Sequence, residues 1–151
     1  MTTQTELQTG QSAPEFKLKA YPGGEYSLSQ FKGKKNVILA FYPKDDTPGC
    51  TKENCAFRDD LSHFEDEDTQ VFGISCDDVG SHEKFSKKYN FSHPLLADVG
   101  GSVAKKYGVF REDKGTASRK LFVMDKQGKI QKIIDGMPEN NELLEFIKGL
   151  K

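Results

Sequence analysis

Apolar residues in this chain come either in short unbroken runs or at wider, regular spacing, and the alternation of the two lays out its elements. Asn36-Val37-Ile38-Leu39-Ala40-Phe41-Tyr42 is nearly continuous, the pattern of a strand covered on both faces, and Gln70-Val71-Phe72-Gly73-Ile74-Ser75 repeats it. Between them Ala56, Phe57, Leu61 and Phe64 recur at helical spacing, which predicts a helix from Cys50 to about residue 64. After the second strand, Ser81 is expected to cap a helix running to about residue 89, with Glu83 in its first turn. The order is strand, helix, strand, helix.

The flanking segments are shorter. Residues 16–20 alternate as a short edge strand, and Gly23-Gly24 turns them into Glu25-Tyr26-Ser27-Leu28, a predicted hairpin. Residues 31–34 form a loop. Leu95-Leu96-Ala97 reads as a short strand, and Ser102 opens a short helix that Gly108 stops. Residues 120–124 and 129–134 flank Asp125-Lys126-Gln127-Gly128 as a second hairpin. The chain closes on an amphipathic helix over 139–150, with Leu143, Leu144, Ile147 and Leu150 on one face. Alternating βαβ units followed by an antiparallel hairpin predict an α/β fold, a mixed central sheet with helices on both faces. No repeat or linker interrupts it, so one domain is expected over 1–151, with residues 1–11 a polar tail.

Composition narrows the function classes. With 22 Lys+Arg against 23 Asp+Glu in 151 residues, the chain lacks the basic footprint of a nucleic-acid or anionic-membrane binder. No apolar stretch approaches the length of a membrane span, and Met1 to Ser12 lack the basic start and apolar run of a secretion signal, so a cytoplasmic protein is expected. Three cysteines make an odd count for an oxidised scaffold; in a reducing compartment such cysteines are catalytic, metal-binding or inert.

The densest chemistry is Pro43-Lys44-Asp45-Asp46-Thr47-Pro48-Gly49-Cys50, a Pro/Gly-rich turn that delivers a thiol to the first turn of the predicted helix. Free N–H groups and the helix dipole favour thiolate there. Thr47 can turn its hydroxyl towards the sulfur or towards a substrate oxygen, while Pro43 and Pro48 fix the backbone and remove donors around a pocket mouth. The competing reading is a buried structural cysteine after a turn. Cys55 follows five positions later. On an unbroken helix that spacing turns the two side chains about 140° apart and separates their Cα atoms by roughly 8.7 Å, beyond the ~7 Å that a disulfide spans. If the pair reacts, the start of the helix has to unwind, which suits a transient disulfide formed after oxidation of Cys50 better than a constitutive one.

Other candidates read more plainly. Cys76 ends a core strand and is expected to be a small buried hydrophobe, with a role as an alternative resolving thiol as its rival. Asp45 and Asp46 are expected to be solvated turn residues, and 65–68 a solvated helix end. His63, His82 and His93 are scattered, and Cys-x4-Cys is poor zinc spacing, so neither metal nor cofactor is expected.

Pro43-x-x-x-Thr47-x-x-Cys50 resembles the active-site signature of the peroxiredoxins, and residues 41–55 closely resemble the peroxiredoxin Q subfamily, also called bacterioferritin comigratory protein. The resemblance runs from about residue 12 to 150 and takes in Phe57-Arg58-Asp59, Tyr107-Gly108-Val109, and Arg119 at the opening of a strand that ends in Val123-Met124 and runs on into Asp125-Lys126-Gln127-Gly128-Lys129. It implies a thioredoxin-like fold with an N-terminal hairpin extension and a monomeric thiol peroxidase. By the same resemblance Cys50 is the peroxidatic cysteine and Cys55 the resolving one in the same chain. Thr47 and the Cys50 N–H hold the peroxide, Arg119 sits beside the sulfur, and Glu53 orients Arg119; without the resemblance, Arg119 reads as a surface charge at a strand start and Glu53 equally well as a first-turn acid complementing the helix dipole. Hydrogen peroxide or small organic hydroperoxides are the implied substrates, and thioredoxin or a similar dithiol the reductant. A general thiol-disulfide oxidoreductase, which would prefer Cys-x-x-Cys, and a non-catalytic redox sensor or chaperone-like module are the alternatives.

Overall fold

The two unbroken apolar runs become the centre of the sheet. In the computed structural model, which describes residues 7–150, they form β3 (Asn36–Phe41) and β4 (Thr69–Ser75), paired in parallel from Asn36 opposite Thr69 to Phe41 opposite Ile74. β5 (Leu95–Ala97) extends the parallel set beside β4. On the other side β8 (Lys120–Met124) pairs antiparallel with β3, and β9 (Ile130–Asp135) pairs with β8 through the 125–129 turn. The N-terminal hairpin is present as β1 (Lys17–Tyr21) and β2 (Glu25–Ser27). β1, expected from the sequence to be an edge strand, is an inner one, because β5 pairs with its last residues; the order is β2-β1-β5-β4-β3-β8-β9. Alternation over five residues cannot reveal a partner more than seventy residues away.

Residues of β3 point alternately into two cores. Val37, Leu39 and Phe41 join Phe72, Ile74, Phe122 and the short helix α3 (Ser102–Lys106) on one face. Ile38 and Ala40 join Phe57 and Phe64 of α1 (Pro48–Asp66) and Leu143, Leu144 and Ile147 of α4 (Asn140–Lys148) on the other. The sheet is mixed with helices on both faces, as its sequence pattern predicts.

Three local details depart from the sequence reading. α2 (Val79–Tyr89) is capped by Asp78, whose carboxylate accepts from Ser81 N at 2.8 Å; Ser81 lies inside the helix and is not its cap. A strand pair, β6 (Phe110–Arg111) with β7 (Thr116–Ala117), forms in a segment to which the sequence pattern assigns no element. The polar tail is docked where it is described: Gly10 N donates to the Ile130 carbonyl at 2.7 Å and Ile130 N to the Gln11 carbonyl at 2.8 Å. Residues 1–6 of that predicted tail lie outside the described residues. No helix among the described residues is long and apolar enough to cross a membrane.

Candidate active site

Strand register assembles the site. Because Phe41 sits opposite Lys120, Arg119 arrives just past the end of β3, where the chain leaves the sheet and turns into the loop that carries Cys50. Its Nη2 donates to Cys50 Sγ at 3.0 Å across 69 residues of sequence, and its Nη1 donates to Glu53 Oε1 at 2.8 Å. One planar fork therefore holds both the sulfur and a carboxylate one helical turn further on, a job that the five fixed donors of guanidinium suit. Gly49 makes room for it, since a Cβ at that position would lie 3.0 Å from Arg119 Nη2.

Cys50 is the third residue of α1 and has no solvent exposure (0%). Pro48 opens the helix, where its fixed φ fits and its missing N–H costs nothing. The Thr51 N to Thr47 carbonyl bond, 2.8 Å, begins the helical ladder. The N–H of Cys50 precedes it, and no side chain caps the helix start. Thr47 Oγ1 donates to the Lys44 carbonyl at 2.9 Å. With its proton committed there, the hydroxyl offers lone pairs to a donor. Pro43 is half-buried between the strand end and this loop.

Charge around the sulfur is arranged by burial. Glu53 is 2% exposed, and desolvation pushes its carboxyl up to about 7 against the opposing pull of Arg119. Its Oε2 has no hydrogen-bond partner among the described residues. Burial also works against the Arg119 charge, but the Cys50 sulfur and the Glu53 carboxylate outweigh it and hold the guanidinium firmly as a cation. A fixed cation and a helix N-terminus meet at one buried sulfur, and both stabilise negative charge on it.

The loop behind the thiol is built on a residue whose surroundings its sequence neighbourhood does not suggest. Asp45 is not solvated; it is 8% exposed. Its carboxylate accepts from Tyr42 OH at 2.6 Å and from Ser81 Oγ at 2.8 Å, and lies 2.7 Å from His82 Nδ1. Its own N–H donates to Asp77 Oδ2 at 2.8 Å. His82 Nε2 donates to the Leu96 carbonyl at 2.8 Å, so one buried imidazole ties the active-site loop to β5. Asp46 is exposed, at a left-handed φ of 56°, and takes Lys88 Nζ at 2.9 Å and Tyr89 OH at 3.0 Å. α2 thus grips the loop through both aspartates. A polar triplet such as Asp78-x-x-Ser81-His82 at a helix start was the available signal, but nothing in it names Asp45 as partner.

Cys55 is half-buried on the same unbroken helix and borders the cluster of Tyr42, Cys50, Phe85, Phe91 and Leu95; all three cysteines are free thiols. Cys76, expected in the core, is half-buried at the end of β4, and burial followed by the nearby Asp98 and Asp77 pushes its thiol up to about 11. The polar members of the core-facing stripe of α1, Glu53 and Asn54, fall three and four residues after Cys50, while the expected stripe member Ala56 is exposed.

Residues 9–133 match the AhpC/TSA family. The chain belongs to that family. It is 42% identical to the chloroplastic peroxiredoxin Q of Populus jackii, covering 99% of this chain and 72% of that protein. It is 44% identical to the putative peroxiredoxin Bcp of Coxiella burnetii, covering 95% of this chain and 99% of the relative. Among solved structures, peroxidoxin BcpB from Mycobacterium tuberculosis superposes with a TM-score of 0.89 at 33% identity, covering 97% and 99% of the two chains. The reduced 2-Cys peroxiredoxin of Plasmodium vivax does so with a TM-score of 0.86 at 32% identity, covering 92% of this chain and 79% of the other. The fold is the thioredoxin-like fold of these enzymes, and this peroxiredoxin, of the Q/Bcp type, is a thiol peroxidase.

Proposed function

We propose that this peroxiredoxin reduces hydrogen peroxide and small organic hydroperoxides with Cys50 as the attacking thiol and Cys55 as the resolving one, and is recycled by thioredoxin or a similar dithiol. The observation that carries the reading is the 3.0 Å hydrogen bond from Arg119 to the Cys50 sulfur at the start of α1. The Cys50 thiolate attacks one peroxide oxygen, the O–O bond breaks, and sulfur becomes a sulfenate while the other oxygen leaves as alkoxide or hydroxide and takes a proton to become alcohol or water. Charge moves from sulfur to the leaving oxygen in the transition state, so donors already aimed at that line stabilise it more than the ground state. Arg119 and the free Cys50 N–H supply such donors. Thr47, its proton held by Lys44, accepts from the hydroperoxide O–H and fixes which oxygen faces the sulfur.

Resolution follows when the Cys55 thiolate attacks the Cys50 sulfenic sulfur, forming the disulfide and releasing the sulfenic oxygen as water. On the intact helix the two Cα atoms stand roughly 8.7 Å apart, so the first turns of α1 must open for this step. A dithiol then reduces the disulfide by exchange and leaves as a disulfide itself. The test follows NADPH oxidation with thioredoxin, thioredoxin reductase and a panel of peroxides. Cys50→Ser should be inactive. Cys55→Ser should keep the first oxidation, accumulate sulfenic or overoxidised Cys50, and turn over poorly. Wild-type rates from Cys50→Ser would overturn the assignment, and insulin reduction without peroxide would favour a general disulfide oxidoreductase instead.

A further inference from the structure

Asn54 lies between the two reactive cysteines, 1% exposed, on the face of α1 that meets the sheet. Its Nδ2 donates to the Cys50 carbonyl at 2.9 Å, which leaves Oδ1 to accept from His93 Nε2, also at 2.9 Å. The carbonyl is an acceptor only, so the amide orientation and the imidazole tautomer are both fixed by it. His93 is fully buried, with ring centroids 6.2 Å from Phe57 and 5.2 Å from Phe91. It sits on the segment entering β5, where Gly73 N donates to the Pro94 carbonyl at 3.1 Å. Its Nδ1 has no hydrogen-bond partner among the described residues. Gly73 itself leaves room for the amide, because a Cβ there would lie 2.9 Å from Asn54 Oδ1 and 2.8 Å from Leu95 Cδ2.

One side chain therefore joins the carbonyl of the reactive cysteine to the segment entering β5, which the Gly73 to Pro94 bond ties to β4. We propose that Asn54 and His93 form a latch that holds the first turns of α1 wound and so sets how oxidised Cys50 divides between disulfide formation with Cys55 and further oxidation by peroxide. The proposal rests on Cys55 being the resolving thiol. Opening the helix far enough for the sulfurs to meet pulls Asn54 from the Cys50 carbonyl and from His93, leaving the buried imidazole without a protein partner at either nitrogen. Leaving a buried polar group unpaired is enough to shift an equilibrium by about tenfold. The two competing outcomes are chemically distinct. Disulfide formation joins the sulfenic sulfur to Cys55 and releases water. Overoxidation consumes a second hydroperoxide, adds one oxygen to the sulfenate to give sulfinate, and releases water or alcohol. The latch slows the first without touching the second, making Asn54 and His93 positioning residues for the resolving step.

The experiment treats the reduced, full-length protein with increasing hydrogen peroxide and counts disulfide against sulfinate by intact mass, alongside hydrogen exchange of the amides of residues 51–55. Asn54→Ala and His93→Leu should raise the peroxide concentration that overoxidises half of the molecules by about tenfold and speed exchange at those amides by a similar factor. His93→Gln, which keeps an N–H for Asn54, should return both towards wild type. Val103→Ala, on the opposite face of the sheet, serves as a control that lowers the melting temperature without loosening this helix, and should leave the ratio unchanged. A ratio that stays put in Asn54→Ala, or moves equally in the Val103→Ala control, overturns the latch. Absence of a Cys50 to Cys55 disulfide in wild type overturns the reading of Cys55 instead, and the exchange rates then decide the latch alone.

Discussion

Replacing Glu53 with glutamine isolates the electrostatic cost of the buried carboxyl behind Arg119. In the folded chain that group titrates at about 7, raised from 4.5 by desolvation, while in the unfolded chain it returns to the ordinary value. Below the unfolded value the carboxyl is protonated in both states and contributes nothing to the pH dependence. As pH rises the unfolded chain releases its proton first and the folded chain keeps it, so unfolding becomes progressively more favourable. Above about pH 7 the loss is complete and amounts to on the order of 3 kcal/mol. A glutamine side chain cannot titrate, so the stability of Glu53→Gln lacks this component. The new amide places a donor where Oε2 now lies without a partner, which adds a constant penalty of about 1–3 kcal/mol but no slope. Urea unfolding of both reduced proteins, in steps from about pH 4 to about pH 8, should show the wild type losing ground to Glu53→Gln across the window and then running parallel above it. Titrating groups away from Glu53, Arg119 and Cys50 are common to the two proteins and cancel. Curves that stay parallel throughout would refute the claim that burial outweighs Arg119 at this carboxyl.

Arg119→Lys keeps the charge but not the fork that reaches Sγ and Glu53 together, and should slow oxidation of Cys50 by about 10–100-fold. Since the chain has no tryptophan to report the step optically, quenched flow with intact mass is the suitable measurement. Gly49→Ala should slow the same step several-fold by crowding Arg119 Nη2, yet leave the melting temperature unchanged or higher, because alanine is worth about 1 kcal/mol over glycine inside a helix. Asp45→Ala should cost about 3 kcal/mol or more in urea unfolding, since it strands Tyr42 OH, Ser81 Oγ and His82 Nδ1 in a buried site. Asp45→Asn should recover part of that loss.

What could be read in advance followed from local pattern. The unbroken runs of β3 and β4, the helix that follows the Pro43 to Gly49 turn, and the 125–129 hairpin are all encoded by residues next to one another in sequence. The same is true of Cys50, whose position in the first helical turn depends on the residues just before it. Arg119 is different. Its own neighbourhood marks only a charge at the start of a strand, and resemblance to a family, not its surroundings, points to it. Adjacent aspartates in a Pro/Gly-rich turn read as solvated, and only α2 folding back over the loop buries Asp45 while leaving Asp46 exposed. Nothing in the sequence around Asn54 marks what it meets. It stands on the same helical face as Cys50, but its partner His93 is 39 residues further on.

The division has a physical cause. Sequence by itself determined which segments become strands and helices, and that one cysteine would meet a helix N-terminus while a second stood too far along the same helix to bond with it. Those are consequences of backbone geometry and of side-chain spacing within one element. Tertiary structure decided what surrounds the sulfur: antiparallel register of β8 against β3 places Arg119 there, and packing of α1 on the sheet and of α2 on the active-site loop turns Glu53, Asn54 and Asp45 from surface-type polar residues into groups that must find partners. A polar side chain is informative about function only once its exposure is known, and exposure belongs to the packed chain rather than to any stretch of it.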